Sequence, residues 1–336
     1  MKICICGGGG LGHVCAGVMA SQKDVELSIL SGHPENWQYM ITITDLNGKQ
    51  YIAPIKRVSS NPEEVIVGQD IILFCLPGYM IEKTLRDIKP YIGNAAIGTV
   101  VSSTGFFFFA HDVFGKSAKL FGFQRVPFIS RVEEYGCSAN LLGYKTSLAA
   151  VLENIEGRET FRKELERLFI TPVNLLDNFY EVALSNSNPI LHTGRLYTMF
   201  HGREKKVFDH NILFYKEWTD EASQLLIDMD VEFFQLLNKL GVHTLPTLLN
   251  YYDSTDAASL TRKISSIPAF QTITSPMKQV ADGWMADFDS RYFTEDFPFG
   301  LRFIKQEANK AKLYTPNIDL VANWGDSVLS NTKRCK

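Results

Sequence analysis

The sequence opens with a short apolar segment that runs directly into a glycine cluster, Lys2-Ile-Cys-Ile-Cys-Gly-Gly-Gly-Gly-Leu-Gly-His13. Gly7, Gly9 and Gly12 fit the pattern G-x-G-x-x-G between a predicted strand and a predicted helix. In that pattern the first glycine permits a tight turn, the second lets the backbone approach a pyrophosphate, and the third lets the helix pack closely on the strand. The pattern therefore predicts a dinucleotide-binding unit, with the amides of the helix N-terminus facing the anion.

The end of the second predicted strand, Val25–Leu30, bears on which dinucleotide is bound. NAD-binding units usually place Asp or Glu about 20 residues beyond the glycines, where the carboxylate hydrogen-bonds the ribose 2′-hydroxyl. Ser31 and His33 stand in that region, and the nearest acid, Glu35, follows a proline. Because no carboxylate is there to repel a 2′-phosphate, the sequence favours NADP(H) over NAD(H), although no arginine lies nearby to bind that phosphate.

A third cofactor-binding segment is predicted where the apolar strand Asp70–Pro77 ends, since carboxyl ends of parallel strands meet at one edge of a sheet. The predicted cofactor contacts are Gly7, Gly9, Gly10, Leu11, Gly12, Ser31, His33, Leu76 and Pro77.

Length and composition restrict the class of protein. A chain of 336 residues suits two domains, and its 45% hydrophobic and 21% charged residues are globular values. The net charge of −3 gives no indication of nucleic acid or an anionic membrane as partner. We expect a cytoplasmic protein, because no apolar run reaches the ~18 residues of a membrane helix and no basic region precedes the first apolar segment. The six cysteines, at positions 4, 6, 15, 75, 137 and 335, lack metal-ligand spacing and are predicted to be reduced core thiols.

The pattern of elements predicts an α/β fold. A Rossmann-type, doubly wound sheet domain is expected over residues 1–180, followed by an all-helical domain over 181–336. The alternation in Met40–Ala53 predicts an inserted hairpin, and residues 119–151 are rich in strand signals. The run Phe106–Phe109 could line a nicotinamide pocket, but core packing is the more frequent role of such residues. Helices are expected at 11–22, 79–89, 158–169, 220–240, 256–265 and 324–330. The helix at 220–240 is predicted to be capped by Thr219 and ended by Gly241.

Candidate chemistry in the second half lies in two segments. The first is Asn186-Ser-Asn-Pro-Ile-Leu-His192, and the second is Arg291-Tyr-Phe-Thr-Glu-Asp296 with the Phe-Pro-Phe-Gly-Leu that follows. Taken alone, His192 is more often a hydrogen-bonded structural histidine than a catalytic one, and Arg291 with Asp296 is more often a surface ion pair. A substrate is expected in the cleft between a nucleotide domain and a helical domain.

Together these motifs resemble the octopine/nopaline (opine) dehydrogenase family. Its pattern includes an Asn-Pro…His element that opens the second domain and a late Arg-Tyr-x-x-Glu-Asp-x-Pro-x-Gly-Leu element. The matching positions are Asn188, Pro189, His192, Arg291, Tyr292, Glu295, Asp296, Pro298, Gly300 and Leu301, and Phe214-Tyr-Lys216 also fits. The chain departs from the pattern at Thr193, where the family often has proline, and it is on the short side.

The resemblance implies NAD(P)H-dependent reductive condensation of a 2-oxo acid, such as pyruvate, with the amino group of an amino acid, and the reverse oxidation. It implies that His192 is the general acid/base and that Asp296 hydrogen-bonds its other ring nitrogen. Arg291 would bind a substrate carboxylate, and Asn188 would anchor substrate or the cofactor amide. No metal site is expected, the partners are small molecules, and a homodimer is possible.

Two alternatives stay open. A reductase of the ketopantoate or glycerol-3-phosphate dehydrogenase type has the same layout but is expected to use a catalytic lysine and no amine. The lysines at 205, 206 and 216 stand in polar surroundings that do not suggest such a role. The second alternative is a non-enzymatic NADPH-binding sensor or an inactive relative, because a fold alone does not establish a reaction.

Overall fold

The computed structural model describes residues 1–334, and within them the apolar segments predicted as buried strands pair in one eight-stranded sheet. The chain divides into a first unit, Met1–Ser185, and a second unit, Asn186–Lys336, against a boundary predicted near residue 180. The strands of the first unit are β1 (Lys2–Cys6), β2 (Glu26–Leu30), β3 (Met40–Asp45), β4 (Gln50–Pro54), β5 (Arg57–Ser59), β6 (Ile71–Phe74), β7 (Ala96–Thr99), β8 (Leu120–Phe123), β9 (Phe128–Glu134), β10 (Ser138–Tyr144), β11 (Leu148–Glu153) and β12 (Val173–Leu176). Its helices are α1 (Gly10–Ala20), α2 (Pro62–Ile66), α3 (Gly78–Ile88), α4 (Phe106–Phe114), α5 (Arg158–Phe169) and α6 (Tyr180–Ala183).

The large sheet has the strand order β12-β11-β8-β7-β6-β1-β2-β5. Its strands from β8 to β5 run parallel, while β11 pairs antiparallel with β8, so the sheet is mixed. The chain passes from β1 to β2 on one side and later returns as β6 on the other side of β1. Reversal of this kind opens a crevice at the carboxyl ends of the strands, which is where open α/β sheets bind ligands.

Both faces of the sheet are covered, as the Rossmann-type prediction requires. Ile3 and Ile5 pack with the α1 side of the core, whereas Cys4 and Cys6 pack with the α3 and α4 side. Of the four aromatic residues in the run 106–109, Phe106 and Phe107 are fully buried in that second core, which confirms core packing for these two.

The thiol prediction is confirmed in part. Cys4, Cys6 and Cys15 are buried and free, and the half-buried Cys75 is free and packs against the core. The prediction of a core position is wrong for Cys137, which is free but only half-buried. Cys75 lies just beyond the end of β6 and Cys137 lies in the turn between β9 and β10, where the backbone leaves the core. Cys335 lies outside the described residues.

The predicted hairpin Met40–Ala53 forms as β3 and β4 and extends into a second sheet of order β4-β3-β10-β9. This sheet packs on α1, so α1 is enclosed between two sheets and is buried from Gly12 to Ala20. The approach is close, because a methyl group at Gly17 would lie 2.0 Å from Ile43 Cγ1 and one at Gly10 would lie 3.1 Å from Ser130 Oγ. Gly10 and Gly17 are seven residues apart and therefore share one face of the helix, the face turned to the second sheet.

The second unit is mainly helical. Its helices are α7 (Asn188–Phe200), α8 (Asp220–Lys239), α9 (Leu248–Tyr251), α10 (Ala257–Ser266), α11 (Arg291–Thr294), α12 (Arg302–Lys310) and α13 (Pro316–Arg334), with a π-helical turn at Phe297–Leu301. A short hairpin of β13 (Met277–Val280) and β14 (Gly283–Ala286) departs from the all-helical expectation. Thr219 caps α8 as predicted, since its side chain accepts a hydrogen bond from the backbone N–H of Ala222. Within residues 1–334, no helix is both long and apolar enough to cross a membrane.

Candidate active site

The glycine loop joins β1 to α1 through a turn that requires glycine at positions 7 and 12. Gly7 has φ +118°, and a methyl group at this position would lie 2.5 Å from the carbonyl oxygen of Cys75. A methyl group at Gly12 would lie 2.1 Å from the carbonyl oxygen of Gly7. At Gly9, by contrast, a methyl group would meet nothing within 4 Å among the described atoms, so the space above this residue is open.

The N-terminus of α1 is suited to an anion. Gly9 stands at its N-cap and supplies no capping side chain. In the part of the chain that the structure describes, the backbone N–H groups of Gly10, Leu11 and Gly12 have no hydrogen-bond acceptor. Unpaired amides and the helix dipole together favour a phosphate group. Open space at Gly9 next to these donors fits the pyrophosphate of a dinucleotide.

Leu76 and Pro77 lie beside this loop. Leu76 Cδ2 lies 2.9 Å from where a methyl group at Gly7 would be, and Pro77 is the N-cap of α3. Both residues follow β6, the strand adjacent to β1, as predicted from the parallel sheet. Their contact with a cofactor stays a prediction.

Three aromatic residues on the other side of the loop were not identified from the sequence. The imidazole of His13 stacks on Trp37 at 4.3 Å and meets the edge of Tyr135 at 5.3 Å between ring centroids. A methyl group at Gly8 would lie 2.4 Å from the Tyr135 hydroxyl, so these rings pack directly against the glycine loop. A polar residue inside the apolar helix α1 was the available signal for His13.

The hydrogen bonds of His13 define its protonation. Its Nε2 lies 2.7 Å from the backbone nitrogen of Gly136, which can only donate, so Nε2 is an acceptor. The proton is therefore on Nδ1, which lies 3.1 Å from the carbonyl oxygen of Gly9 and donates to it. Burial lowers the pKa of His13, against the opposing effect of its hydrogen bonds to Gly9 and Gly8. A neutral His13 thus ties the glycine loop to the β9–β10 turn.

Ser31 and His33, the two residues after β2 that are predicted to contact the cofactor, differ in exposure: the first is buried and the second is exposed. Ser31 is 5% exposed, and its Oγ accepts hydrogen bonds from Trp37 Nε1 and from the backbone N–H of His33. A third contact joins Ser31 Oγ and the Tyr135 hydroxyl at 3.2 Å. His33 is exposed, and its Nδ1 lies 3.4 Å from Glu35 Oε1.

In the second unit the structure brings His192 and Asp296 together across 104 residues of sequence. His192 Nδ1 lies 2.8 Å from Asp296 Oδ2, and both side chains are largely buried. His192 is on the first half of α7, and Asp296 lies between α11 and the π-helical turn that begins at Phe297. Turns of this kind widen the helix locally and are frequent at functional sites.

The opposite nitrogen of His192 has a partner to which the sequence assigned no role, although that partner lies in the Phe214-Tyr-Lys216 segment that fits the family pattern. Its Nε2 lies 2.9 Å from the hydroxyl oxygen of Tyr215. Because the Asp296 carboxylate only accepts, Nδ1 carries the proton of the neutral ring and Nε2 accepts from Tyr215. Tyr292 closes another side of the ring, with 4.7 Å between its centroid and that of His192. Burial raises the pKa of Tyr292, and the neighbouring Asp296 adds to that effect.

Asn188 and Arg291 flank this pair in different ways. Asn188 is the first residue of α7 and stands four residues before His192, which places the two on one helix face. Its half-buried side-chain amide has no hydrogen-bond partner among residues 1–334. Arg291 is exposed at the start of α11, directly before Tyr292, and no described carboxylate forms an ion pair with it. Both side chains are available to a ligand.

Arg195 is a second residue that the sequence did not single out. It is 3% exposed, its Nε lies 3.3 Å from the carbonyl oxygen of Phe214, and its Nη2 lies 2.6 Å from that of Glu217. Burial lowers the pKa of this guanidinium to about 10, while Glu217 and Glu221 oppose the effect. Arg195 holds both ends of the turn that carries Tyr215. Its position three residues after His192, on the same helix face, was the only local signal.

Thr193, which stands where the family often has proline, is fully buried, and its hydroxyl donates to the carbonyl oxygen of Pro189. Within residues 1–334, no group of three or more His, Cys, Asp or Glu side chains could hold a metal ion.

Comparison with known proteins gives a consistent result. The family model for the alpha-helical domain of NAD/NADP octopine/nopaline dehydrogenases matches residues 175–329. Tauropine dehydrogenase from Arabella iricolor is 27% identical, over 97% of this chain and 90% of the relative. Solved structures of octopine dehydrogenase with NADH and L-arginine and with NADH and pyruvate align with TM-scores of 0.85 and 0.80, at 24% and 23% identity. Each covers 98% of this chain, and the chain covers 90% and 89% of them.

The glycine loop of the first unit, the buried histidine–aspartate pair of the second and these similarities over nearly the whole length agree with one another. Residues 175–329 belong to the octopine/nopaline (opine) dehydrogenase family as its alpha-helical domain, and the chain as a whole is similar to tauropine, opine and octopine dehydrogenases.

Proposed function

We propose that this protein is an opine dehydrogenase that joins a 2-oxo acid to the amino group of an amino acid by reductive condensation, and that it also catalyses the reverse oxidation. The observation that carries the proposal is the hydrogen-bonded pair of His192 and Asp296 in a chain of this family. The relatives named above act on, or were solved with, tauropine, L-arginine and pyruvate, which makes pyruvate and L-arginine the first substrates to test.

The first unit provides for the cofactor. When bound, a nicotinamide dinucleotide supplies the hydride of this reaction. Gly7 and Gly12 keep the turn tight, and the backbone N–H groups of Gly10, Leu11 and Gly12 would hold the pyrophosphate. The open space at Gly9 is what lets the phosphates come close to the backbone.

His192 handles the protons. Condensation needs a proton on the departing oxygen of the carbinolamine, and the reverse reaction needs one removed from the attacking water. An imidazole suits both directions at neutral pH. Asp296 fixes the Nδ1–H tautomer by accepting its hydrogen bond, and its charge stabilises the imidazolium form.

Arg291 and Asn188 would bind the acid substrate. The exposed guanidinium of Arg291 offers two parallel N–H donors, which match the two oxygens of a carboxylate. The amide of Asn188, one helical turn before His192, offers a donor and an acceptor for the oxo oxygen or the amine.

For the cofactor we propose a preference for NADP(H). After β2 the position that usually holds a carboxylate is Ser31, and the exposed His33 can meet a 2′-phosphate when protonated. Glu35 opposes this, because its carboxylate lies 3.4 Å from His33. We therefore expect a higher kcat/KM with NADPH than with NADH, and a larger ratio in Glu35→Gln. A strong NADH preference that Glu35→Gln leaves unchanged would refute this assignment.

The decisive experiment follows NADPH oxidation at 340 nm with pyruvate and a panel of amino acids, with mass spectrometry of the product. An opine dehydrogenase requires both substrates and forms an N-(1-carboxyethyl) amino acid. Oxidation with pyruvate alone, giving lactate, would identify a simple oxo acid reductase instead. Cofactor binding without turnover on a full panel of 2-oxo acids and amines would identify a sensor.

A further inference from the structure

We propose that Tyr215 transfers protons between His192 and the reacting oxygen of the substrate, so that the proton path is Asp296–His192–Tyr215 and not His192 alone. This inference rests on the proposed condensation reaction. It starts from the two hydrogen bonds of His192, 2.8 Å to Asp296 and 2.9 Å to Tyr215, which use both ring nitrogens. A substrate oxygen therefore finds the Tyr215 hydroxyl where the free Nε2 lone pair would otherwise be.

The hydroxyl of Tyr215 is arranged to accept a proton as it gives one away. It donates to His192 Nε2, and no other described group hydrogen-bonds to it. Its oxygen therefore has an acceptor site left for a water or hydroxyl group. A hydroxyl that donates at one side and accepts at the other can pass a proton without ionising.

Contacts within the second unit fix the ring of Tyr215. It stacks on Phe270 at 4.5 Å and lies parallel to Trp218 at 6.0 Å between centroids. Arg195 binds the carbonyl groups of Phe214 and Glu217, which stand on either side of Tyr215 in the turn. Burying a cation costs free energy. We infer from the burial of Arg195 at this turn that the turn has to be held in a fixed position.

The surroundings also keep Tyr215 protonated. Burial raises the pKa of its phenol well above the usual range, and Tyr292, Tyr252 and Asp296 add to the effect. A phenol of this kind does not serve as a base by itself. It can serve as a relay, in which one proton arrives as another leaves.

In the direction of oxidation, water attacks the iminium carbon, and the electron pair of the C=N bond moves to nitrogen as the C–O bond forms. A proton of that water passes to the Tyr215 oxygen, and the proton of Tyr215 passes to His192 Nε2. Tyrosine ends neutral and histidine ends as the imidazolium beside Asp296. Condensation runs the same steps backward: the C–O bond of the carbinolamine breaks, water leaves, and the nitrogen lone pair forms the iminium.

The test compares Tyr215→Phe with wild type in single-turnover condensation, measured in mixtures of H2O and D2O. The relay predicts a rate lower by about 10²-fold, the low end of acid/base effects. It also predicts that a curved proton inventory, with two protons in motion, becomes linear in the variant. The substitution keeps the ring that stacks on Phe270 and Trp218. Tyr197→Phe removes the hydroxyl of a half-buried tyrosine of the same unit that is not among the groups acting on Tyr215, and it is expected to keep both the rate and the curvature of wild type.

Each outcome decides one question. A Tyr215→Phe variant with wild-type rate and curvature refutes the relay while leaving the proposed function intact, and so does a faster variant, which would mark Tyr215 as an obstruction. Wild type without condensation activity refutes the proposed function itself. If Tyr215→Phe does not fold, 3-fluorotyrosine at position 215 keeps the hydroxyl but makes it a stronger acid; the relay then predicts a changed single-turnover rate with the curved proton inventory kept, and a wild-type rate refutes it.

Discussion

At the scale of single residues, the role of His192 in acid/base chemistry can be tested separately from cofactor binding. Its ring has one defined tautomer, because Nδ1 donates to Asp296 and Nε2 accepts from Tyr215. His192→Ala is expected to lower turnover by about 10²–10⁴-fold, the usual contribution of a general acid/base. The affinity for NADPH, measured by fluorescence titration, should stay close to wild type, since the glycine loop belongs to the other unit.

The matched control is His243→Ala, which removes an exposed histidine of the same unit. It should retain wild-type turnover. If His192→Ala turned over at the wild-type rate, His192 would be a structural histidine, and the acid/base assignment would be wrong.

Asp230 shows a different residue-scale effect, one of stability. It is 6% exposed on α8, and its carboxylate accepts a hydrogen bond from the backbone N–H of Leu248. Burial raises its pKa to about 6, although that hydrogen bond acts in the opposite direction. The folded protein thus binds a proton more tightly than the unfolded chain, and this group costs stability as the pH rises from about 4 to about 6.

Asp230→Asn keeps an acceptor for Leu248 but carries no charge. At pH 8 we expect its free energy of unfolding to exceed that of wild type by about 1–3 kcal/mol, and its melting temperature to be higher. The difference should shrink toward pH 4, where the wild-type carboxyl group is also uncharged. Differential scanning calorimetry across this range measures it. Asp282→Asn, at an exposed position, should show no such pH dependence. A destabilised Asp230→Asn at pH 8 would mean that the charged carboxylate is needed there.

At the scale of elements, local signals predicted what local interactions determine. Helix α8 begins and ends where Thr219 and Gly241 indicated, because its cap and its terminating glycine adjoin it in sequence. The last helix, predicted only at 324–330, extends over Pro316–Arg334. Its first turn is capped from afar, since the backbone N–H groups of Asn317 and Ile318 donate to Glu232 on α8. A cap supplied by a side chain 85 residues away leaves no local signal.

The second sheet shows the same limit. The hairpin of β3 and β4 was predicted from its own alternation, but its parallel pairing with β10, almost 100 residues later, was not. Gly10 and Gly17 permit that sheet to approach α1, yet in the sequence they look like glycines of the nucleotide loop and of an ordinary helix. The G-x-G-x-x-G pattern predicted the turn between β1 and α1 correctly, but it gave no indication that a second sheet packs on α1.

Within the glycine loop, two substitutions separate folding from binding. Gly12→Ala places a methyl group 2.1 Å from the Gly7 carbonyl oxygen, so we expect a lower melting temperature and lost cofactor binding. Gly9→Ala meets no described atom within 4 Å and has φ −78°, so its melting temperature should match wild type. Its methyl group would fill the space needed by the phosphates, and NADPH binding by calorimetry should weaken. Wild-type affinity in Gly9→Ala would show that the pyrophosphate is bound elsewhere.

At the scale of the whole molecule, the residues of the candidate site are far apart in sequence, and sequence motifs identify only some of them. His192 and Asp296 belong to recognisable segments, and the structure brings them within 2.8 Å. Tyr215 lies in the Phe214-Tyr-Lys216 segment that fits the family pattern, but only its contact with His192 indicates a role for it. Arg195 was identified only from its contacts, because an arginine in an apolar helix has no distinctive spacing. Residue types and their neighbours in sequence therefore predicted the reaction class, while the geometry of the proton path required the fold.

The pH response of the whole chain should combine opposite contributions from the two units. In the first, burial lowers the pKa of His13, whose Nε2 must stay unprotonated to accept from Gly136. The unfolded chain then binds the proton more tightly, so this contribution is complete above pH 6.5 and is lost as the pH falls below it, opposite in sign to that of Asp230.

His13→Gln keeps an acceptor but cannot protonate. Thermal melts between pH 8 and 5 should show a smaller loss of stability for this variant than for wild type, whereas His243→Gln should follow wild type. Equal slopes for wild type and His13→Gln would mean that His13 keeps its proton balance on unfolding, and the link between glycine loop and β9–β10 turn would not depend on pH.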